Sequence, residues 1–335
     1  MSRRALPPLL SLGMLLAAGV NAKRVAIDNT KPRLSTRGEI VNAHDGTVRW
    51  LEGAWWMHAA QYGECADPAQ HGCGMTGPTR NTSCGFKPNH NVSIWRSPDL
   101  SSGSWEFVGQ AVQCTELPDC GILYRPHLVL NPRTQLYTLF WNYVNQHGAY
   151  AGDAVATAKS PAGPFTLASE LINTTYPTGD FDVFIDKDGT GYIICAPPPR
   201  PILARCPRPL TRRAAADSAF HLMFLEQLSP DLLHSTGVGA DIAGSIHPPG
   251  QKRGALKAFP VQFVEAPAMF ERQGTYYALF GHCCCFCYQG SGAFVWTAPH
   301  PLGPWTPQSG GKDLGCQPNK TMPTPAGEIP TLSSG

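Results

Sequence analysis

Charge is scarce in this chain. Lysine and arginine number 26 and aspartate and glutamate 24 among 335 residues, a net charge of +2. A nucleic-acid footprint needs a basic face, and this balance supplies none. Membrane-length apolar runs are also missing. The longest apolar stretch, Leu9 to Val20, falls short of the ~20 residues that span a bilayer, and no other segment approaches it. That stretch follows Arg3-Arg4 and ends at Val20-Asn21-Ala22, an A-x-A-like cleavage signal. Residues 1–22 therefore read as a secretory leader that is removed, leaving no membrane attachment.

Glycine (34) and proline (32) are plentiful, as in turn-rich β proteins. All twelve cysteines follow the leader, which in a secreted chain points to disulfides. Sequons at Asn81, Asn91, Asn173 and Asn319 fit a glycosylated, extracellular protein. Four of the cysteines crowd into Cys283-Cys284-Cys285-Phe286-Cys287. These are read as disulfide-forming, with partners among Cys65, Cys73, Cys84, Cys114, Cys120, Cys195, Cys206 and Cys316, rather than as ligands of a soft metal.

From Glu39 onwards the pattern is β. Thr47 to Leu51, a turn at Glu52-Gly53 and Ala54 to Ala59 open one unit. Ile122 to Leu130 and Leu136 to Trp141 open a second. In the third, Asp180 to Ile185 meets the hairpin turn Asp186-Lys187-Asp188-Gly189 and Gly191 to Cys195. Val264 to Phe270, Glu271-Arg272-Gln273-Gly274 and Thr275 to Phe280 open the fourth. Residues 196–216 read as an inserted loop and 234–258 as connection.

Pro98, Pro161, Pro230 and Pro299 mark the units at spacings of 63, 69 and 69 residues. A repeat of that size, with about four short strands each, predicts an all-β propeller with blades near 39–113, 121–170, 178–235 and 260–306. A 23–38 lead-in precedes it and a 311–335 tail or partial fifth blade follows. A β-sandwich is the alternative, although sandwiches do not need recurring proline tags.

Each unit opens on polar residues: Asn42-Ala43-His44-Asp45-Gly46, Tyr124-Arg125-Pro126-His127, Asp180-Phe181-Asp182 and Val264-Glu265-Ala266-Pro267. In this order and spacing the chain resembles the five-bladed propellers of glycoside hydrolase family 43, the arabinanase, xylosidase and galactanase group, and in particular its exo-β-1,3-galactanase-like branch. Two departures stand out. The branch has Glu-Arg-Pro in its second blade, where this chain has Tyr124-Arg125-Pro126. A fifth blade has no clear counterpart before Gly335, as expected of an incomplete chain.

The resemblance implies a secreted, inverting glycosidase acting on a plant or algal polysaccharide. Glu265 would be the general acid, and Asp180 would orient it and raise its pKa, with Asp182 on the same strand face as a fallback. Asp45 is the base suggested by residue type, whereas the wider family's base aligns nearer His44. His44, Tyr124, Arg125 and Trp141 would bind substrate. Arg125 would either hold a sugar hydroxyl or keep a carboxylate charged. Tyr124 can stack or hydrogen-bond but not replace a carboxylate, a phenol's ordinary pKa being about 10. Trp55, Trp56 and Trp141 are aromatic platforms or core.

No cofactor is required, and a structural metal in the axial channel is not indicated. The partner is an oligo- or polysaccharide, bound by a monomer. Two non-hydrolytic readings stand beside this one: a carbohydrate-binding propeller without turnover, and a disulfide-stapled extracellular interaction module.

Overall fold

The computed structural model describes residues 25, 27, 31–63, 89–117, 120–144, 150–174, 179–196, 223–242, 246–247, 264–282 and 294–308. At 143–144, 150–151, 246–247, 264–265 and 282 only the backbone is described. These residues build four antiparallel sheets, each a blade of a propeller.

Blade one runs β1 (His44–Leu51), β2 (Ala54–Gln61), β3 (Asn91–Ser97) and β4 (Glu106–Val112). Blade two runs β5 (Ile122–Leu130), β6 (Tyr137–Val144), β7 (Tyr150–Ala158) and β8 (Thr166–Ser169). Blade three runs β9 (Phe181–Ile185), β10 (Gly191–Cys195), β11 (Phe224–Leu228), β12 (Ser235–Asp241) and β13 (Ile246–His247). Blade four runs β14 (Val264–Arg272), β15 (Thr275–His282), β16 (Phe294–Ala298) and β17 (Thr306–Pro307). Within each blade, strand order follows chain order.

Local chemistry sets the hairpins. Glu52-Gly53 joins β1 to β2 and Gln273-Gly274 joins β14 to β15, with positive φ at both residues of each turn (50° and 75°, 54° and 79°). Paired positive φ is the two-residue turn that matches strand twist. At the β9–β10 turn Gly189 (φ 83°) donates its N–H to Asp186 O.

Two expectations need correction. Residues 234–258 are not wholly connection, because β12 occupies Ser235–Asp241. Gly239 is required by packing: a Cβ there would lie 2.5 Å from the Phe224 ring and 2.6 Å from Leu225 O. The proline tag of blade four is Pro301, not Pro299. Ser160–Gly163, Ser229–Leu232 and His300–Gly303 each close a turn with an N–H to O bond of 2.8–3.0 Å, and the proline is its second residue.

The core lies between blades. Leu123, Leu128, Leu139 and Trp141 of blade two meet Ala54, Trp56, Val92 and Ile94 of blade one. Phe140 and Val155 meet Phe181, Ile193 and Phe224 of blade three. Ile194 and Leu225 meet Met269, Tyr276, Phe280 and Phe294 of blade four. His58 adds a polar tie, its Nε2 lying 2.8 Å from Pro161 O across blades one and two.

Cys114 and Cys120 form a disulfide with each other, so a disulfide is present but neither cysteine is a partner for the 283–287 cluster. Cys195, by contrast, is an unpaired, fully buried thiol, so it is no partner for the 283–287 cluster, which lies outside the described residues. Of the sequons, Asn173 is exposed, whereas Asn91 begins β3 and its Oδ1 accepts the Cys114 N–H. Asn81 and Asn319 lie outside the described residues. No helix among the described residues is long and apolar enough to cross a membrane.

Candidate active site

The innermost strands β1, β5, β9 and β14 run side by side in the same direction. Thr47 Oγ1 of β1 accepts the Leu128 N–H of β5 at 3.1 Å. Arg125 of β5 reaches Asp180 just before β9, and Asp182 of β9 accepts the Met269 N–H of β14 at 2.7 Å. The strand heads therefore gather at one mouth of the channel.

Three of these strands carry the same irregularity. Pairing is broken between His44 and Thr47, between Tyr124 and His127, and between Glu265 and Ala268. The residue after the break begins has positive φ each time: Asp45 (52°), Arg125 (51°) and Ala266 (52°). An L-residue in this region costs about 1–2 kcal/mol, and bulges of this kind re-aim side chains beside functional sites. Gly46 is forced by the first bulge, since a Cβ there would lie 2.2 Å from His58 O on β2.

The mouth is electrostatically knit. Arg125 grips Asp180 with both prongs, Nε to Oδ1 at 2.7 Å and Nη2 to Oδ2 at 2.8 Å. Asp180 Oδ2 also accepts the Ala266 N–H at 3.1 Å, which fixes the backbone next to Glu265. One level deeper, His127 Nε2 lies 3.0 Å from Asp182 Oδ1, 3.1 Å from Val183 O and 2.9 Å from Arg49 Nη2. Burial keeps His127 neutral, its pKa lowered to about 4. This layer forms a floor beneath the mouth.

Asp45 lies 3.0 Å from His44 Nδ1. Burial alone raises its pKa, but the His44 hydrogen bond and the charges of His44, Arg125 and His90 outweigh that, and the carboxyl is held below its ordinary range. The Tyr62 phenol bonds to Asp45 and is pushed far up by burial and by that carboxylate. Tyr124 is pushed up to about 12 by burial and by the carboxylates of Asp45 and Asp180. It therefore stays a neutral hydroxyl between them. His90 sits against Tyr62, ring centres 4.4 Å apart, with Nδ1 3.1 Å from Asn91 O and Nε2 accepting the Leu123 N–H at 2.9 Å.

The structure brings Asp45, His44, Tyr124, Arg125 and Asp180 together and places the Glu265 backbone beside them. Arg125 is a charge partner of Asp180. Asp182 belongs to the floor. Trp141 is not at the mouth: it is 1% exposed and packed between blades one and two, as is the largely buried Trp56. An indole on β6, one strand out from the channel, fills the inter-blade layer instead of facing sugar. Tyr62 and His90 join the site without a signal in the sequence. They stand just beyond β2 and just before β3, where no alternation pattern marks them.

A second cavity, about 560 Å³, opens at the opposite end of the same strands. It is lined in part by Arg49, Trp50, Lys187, Phe270 and Glu271. None of the mouth residues reaches it. Among the described residues no cluster of three or more His, Cys, Asp or Glu is arranged to hold a metal ion.

Comparison with known proteins bears on the fold. No family model matches the chain, and no curated protein matches its sequence. Solved structures do match. A family 43 β-1,3-galactosidase superposes with a TM-score of 0.57 at 21% identity, covering 83% of this chain and 48% of that one. An exo-β-1,3-galactanase from Phanerochaete chrysosporium, solved with β-1,3-galactotriose, gives 0.55 at 18%, covering 83% and 52%. A second family 43 β-1,3-galactosidase, with galactodeoxynojirimycin, gives 0.58 at 20%, covering 83% and 79%. The chain thus spans about half the length of the first two. The propeller fold of the family 43 enzymes is the fold of this protein.

Proposed function

We propose that this protein is a secreted glycoside hydrolase that cleaves a plant or algal polysaccharide with inversion, β-1,3-linked galactan being the first substrate to test. The observation that carries this reading is the bond from Ala266 N–H to Asp180 Oδ2, because it ties the strand bearing Glu265 to a carboxylate clamped by Arg125. Glycoside cleavage by inversion needs an acid at the leaving oxygen and a base on the opposite face, ~6.5–9.5 Å away. Glu265 is the acid. A carboxylate neighbour favours its protonated form, and Asp180 provides that field. The base lies on blade one, at His44-Asp45. Arg125 stays with Asp180 as its two-pronged charge partner.

The saccharide-bound galactanase neighbour supports a saccharide as partner. The leader, the exposed Asn173 sequon and the Cys114–Cys120 bridge support an extracellular, glycosylated protein. The test is a screen of aryl β-galactosides, β-xylosides and α-arabinofuranosides, with β-1,3-galactobiose, on wild type and Glu265→Gln. Equal rates for the two proteins remove Glu265 as the acid.

One observation favours a second reading, a saccharide-binding propeller without turnover. The blade-two position that is Glu in the resembling branch is here the neutral phenol of Tyr124. Galactotriose binding by wild type with no hydrolysis of any probe selects that reading.

A further inference from the structure

The cavity at the end of β1, β5, β9 and β14 remote from the mouth has no part in the hydrolysis. Its volume, about 560 Å³, falls within the ~300–1,000 Å³ of ordinary ligand sites. Aromatic pairs from two blades border it. On blade one, Trp56 packs into the layer shared with blade two, so strand alternation sends Trp55 and the residue opposite it, Trp50, to the other face. Their rings meet edge to face with centres 5.3 Å apart, and Trp50 remains 55% exposed. On blade four, Met269 packs into the layer shared with blade three, so Phe270 and its partner Tyr277 take the other face. These rings stack with centres 4.9 Å apart, and Phe270 remains 41% exposed. Trp50 and Phe270 are thus turned away from the inter-blade cores, and both line the one cavity.

The charged groups of the cavity are unevenly engaged. Asp186 is buried, and the Tyr276 hydroxyl lies 2.9 and 3.0 Å from its two oxygens. Glu271 accepts the Gly274 N–H of the β14–β15 turn. The cations Arg49 and Lys187 are exposed, and neither forms an ion pair among the described residues. Arg49 lies opposite Trp56 and leans towards blade two, where its Nη2 comes 2.9 Å from His127 Nε2. Burial keeps that ring uncharged. The carboxylate beyond it, Asp182, is taken by His127 and by the Met269 N–H. The carboxylates here have donors of their own, while both cations remain open to an anion.

A pyranose has an apolar C–H face that stacks on an aromatic ring. A hexuronate adds a carboxylate, which a guanidinium takes through two parallel N–H bonds. We propose that this cavity binds a uronate-bearing oligosaccharide, its rings against Trp50 and Phe270 and its carboxylate on Arg49, with Lys187 beside it. The site stands on the cavity alone and does not depend on proton transfer by Glu265, which heads β14 while Phe270 and Glu271 lie towards its other end. It gives the propeller a hold on an acidic polysaccharide away from the place of bond cleavage.

The experiment is calorimetry on the full chain, with α-1,4-digalacturonate and methyl β-D-glucuronide as probes. The dimethyl ester of digalacturonate keeps the rings and lacks the charge; acetate keeps the charge and lacks the rings. Wild type should bind digalacturonate, and should bind its ester and acetate roughly 10–100-fold more weakly. Arg49→Gln should weaken binding of the acid by a similar factor and leave the ester unchanged. Trp50→Ala should weaken acid and ester alike. Both positions are exposed, and unchanged urea midpoints check that the variants fold. Glu265→Gln should bind digalacturonate as wild type does, and loss of binding there would move the site to the mouth and overturn the proposal. Equal affinity for acid and ester, acetate bound as tightly as digalacturonate, or affinity unmoved by both Arg49→Gln and Trp50→Ala overturns it too, as does a wild type that binds neither uronate. Hydrolysis is read separately, from turnover of β-1,3-galactobiose, so the two readings fail independently.

Discussion

Asp180 is held from two blades at once. The guanidinium of Arg125 forks onto it at 2.7 and 2.8 Å, and the Ala266 N–H reaches it at 3.1 Å. Both side chains of the ion pair are only about a quarter exposed (26% and 27%). Removing the cation leaves a half-buried carboxylate with one backbone donor. Arg125→Met should lower stability by about 1–3 kcal/mol, read as a lower urea midpoint with unchanged slope. Arg125→Lys should recover little, because an ammonium cannot fork.

Gly46 has no room for a methyl group, since the obstructing atoms are the His58 carbonyl and Ala59 of β2. Backbone cannot yield as a side-chain tip can. Gly46→Ala should unseat the first bulge, with a lower thermal midpoint and loss of turnover. Gly53→Ala, with nothing within 4 Å of the new Cβ, should show only the smaller cost of its φ of 75°.

Two histidines make stability depend on pH. Burial lowers the pKa values of His58 and His127 to about 4, against 6.5 when unfolded. The unfolded chain therefore binds more protons between these values, and stability falls as pH drops from about 6.5 towards 4. Above 6.5 neither group contributes a slope. Each accounts for a loss of about 3 kcal/mol across that window. Urea midpoints at several pH values check this, and His58→Gln should flatten the slope.

Trp141 separates core from site. Its indole is fully buried between blades, so Trp141→Ala should cost about 3–5 kcal/mol. The fraction that remains folded should bind β-1,3-galactotriose as wild type does, measured by calorimetry. A selective loss of binding at unchanged stability would return Trp141 to the mouth.

Much of the blade plan is legible in the sequence because turns are local. Glu52-Gly53, Asp186 to Gly189 and Glu271 to Gly274 announce hairpins by residue type alone, and all three form, the last with Glu271 and Arg272 still paired in the strand and only Gln273-Gly274 in the turn. Where packing overrides composition, the sequence misleads. Gly237 and Gly239 suggest a loop, yet Gly239 admits the Phe224 ring and lets β12 pair. The mouth was legible as a set of polar strand heads. The sideways turn of Asp45 towards His44 was not, because a bulge breaks the alternation that assigns side chains to faces. Tyr62 and His90 come from strand ends that only tertiary structure brings to Asp45.

The central claim is that Glu265 donates a proton in an inverting hydrolysis. The most direct test is proton NMR of wild type and Glu265→Gln acting on β-1,3-galactobiose, following the first-formed anomer of the released galactose. α-Galactose should appear first from wild type, and the rate should be lower by roughly 10²–10⁴-fold in Glu265→Gln. β-Galactose as the first product, or equal rates from the two proteins, would contradict it.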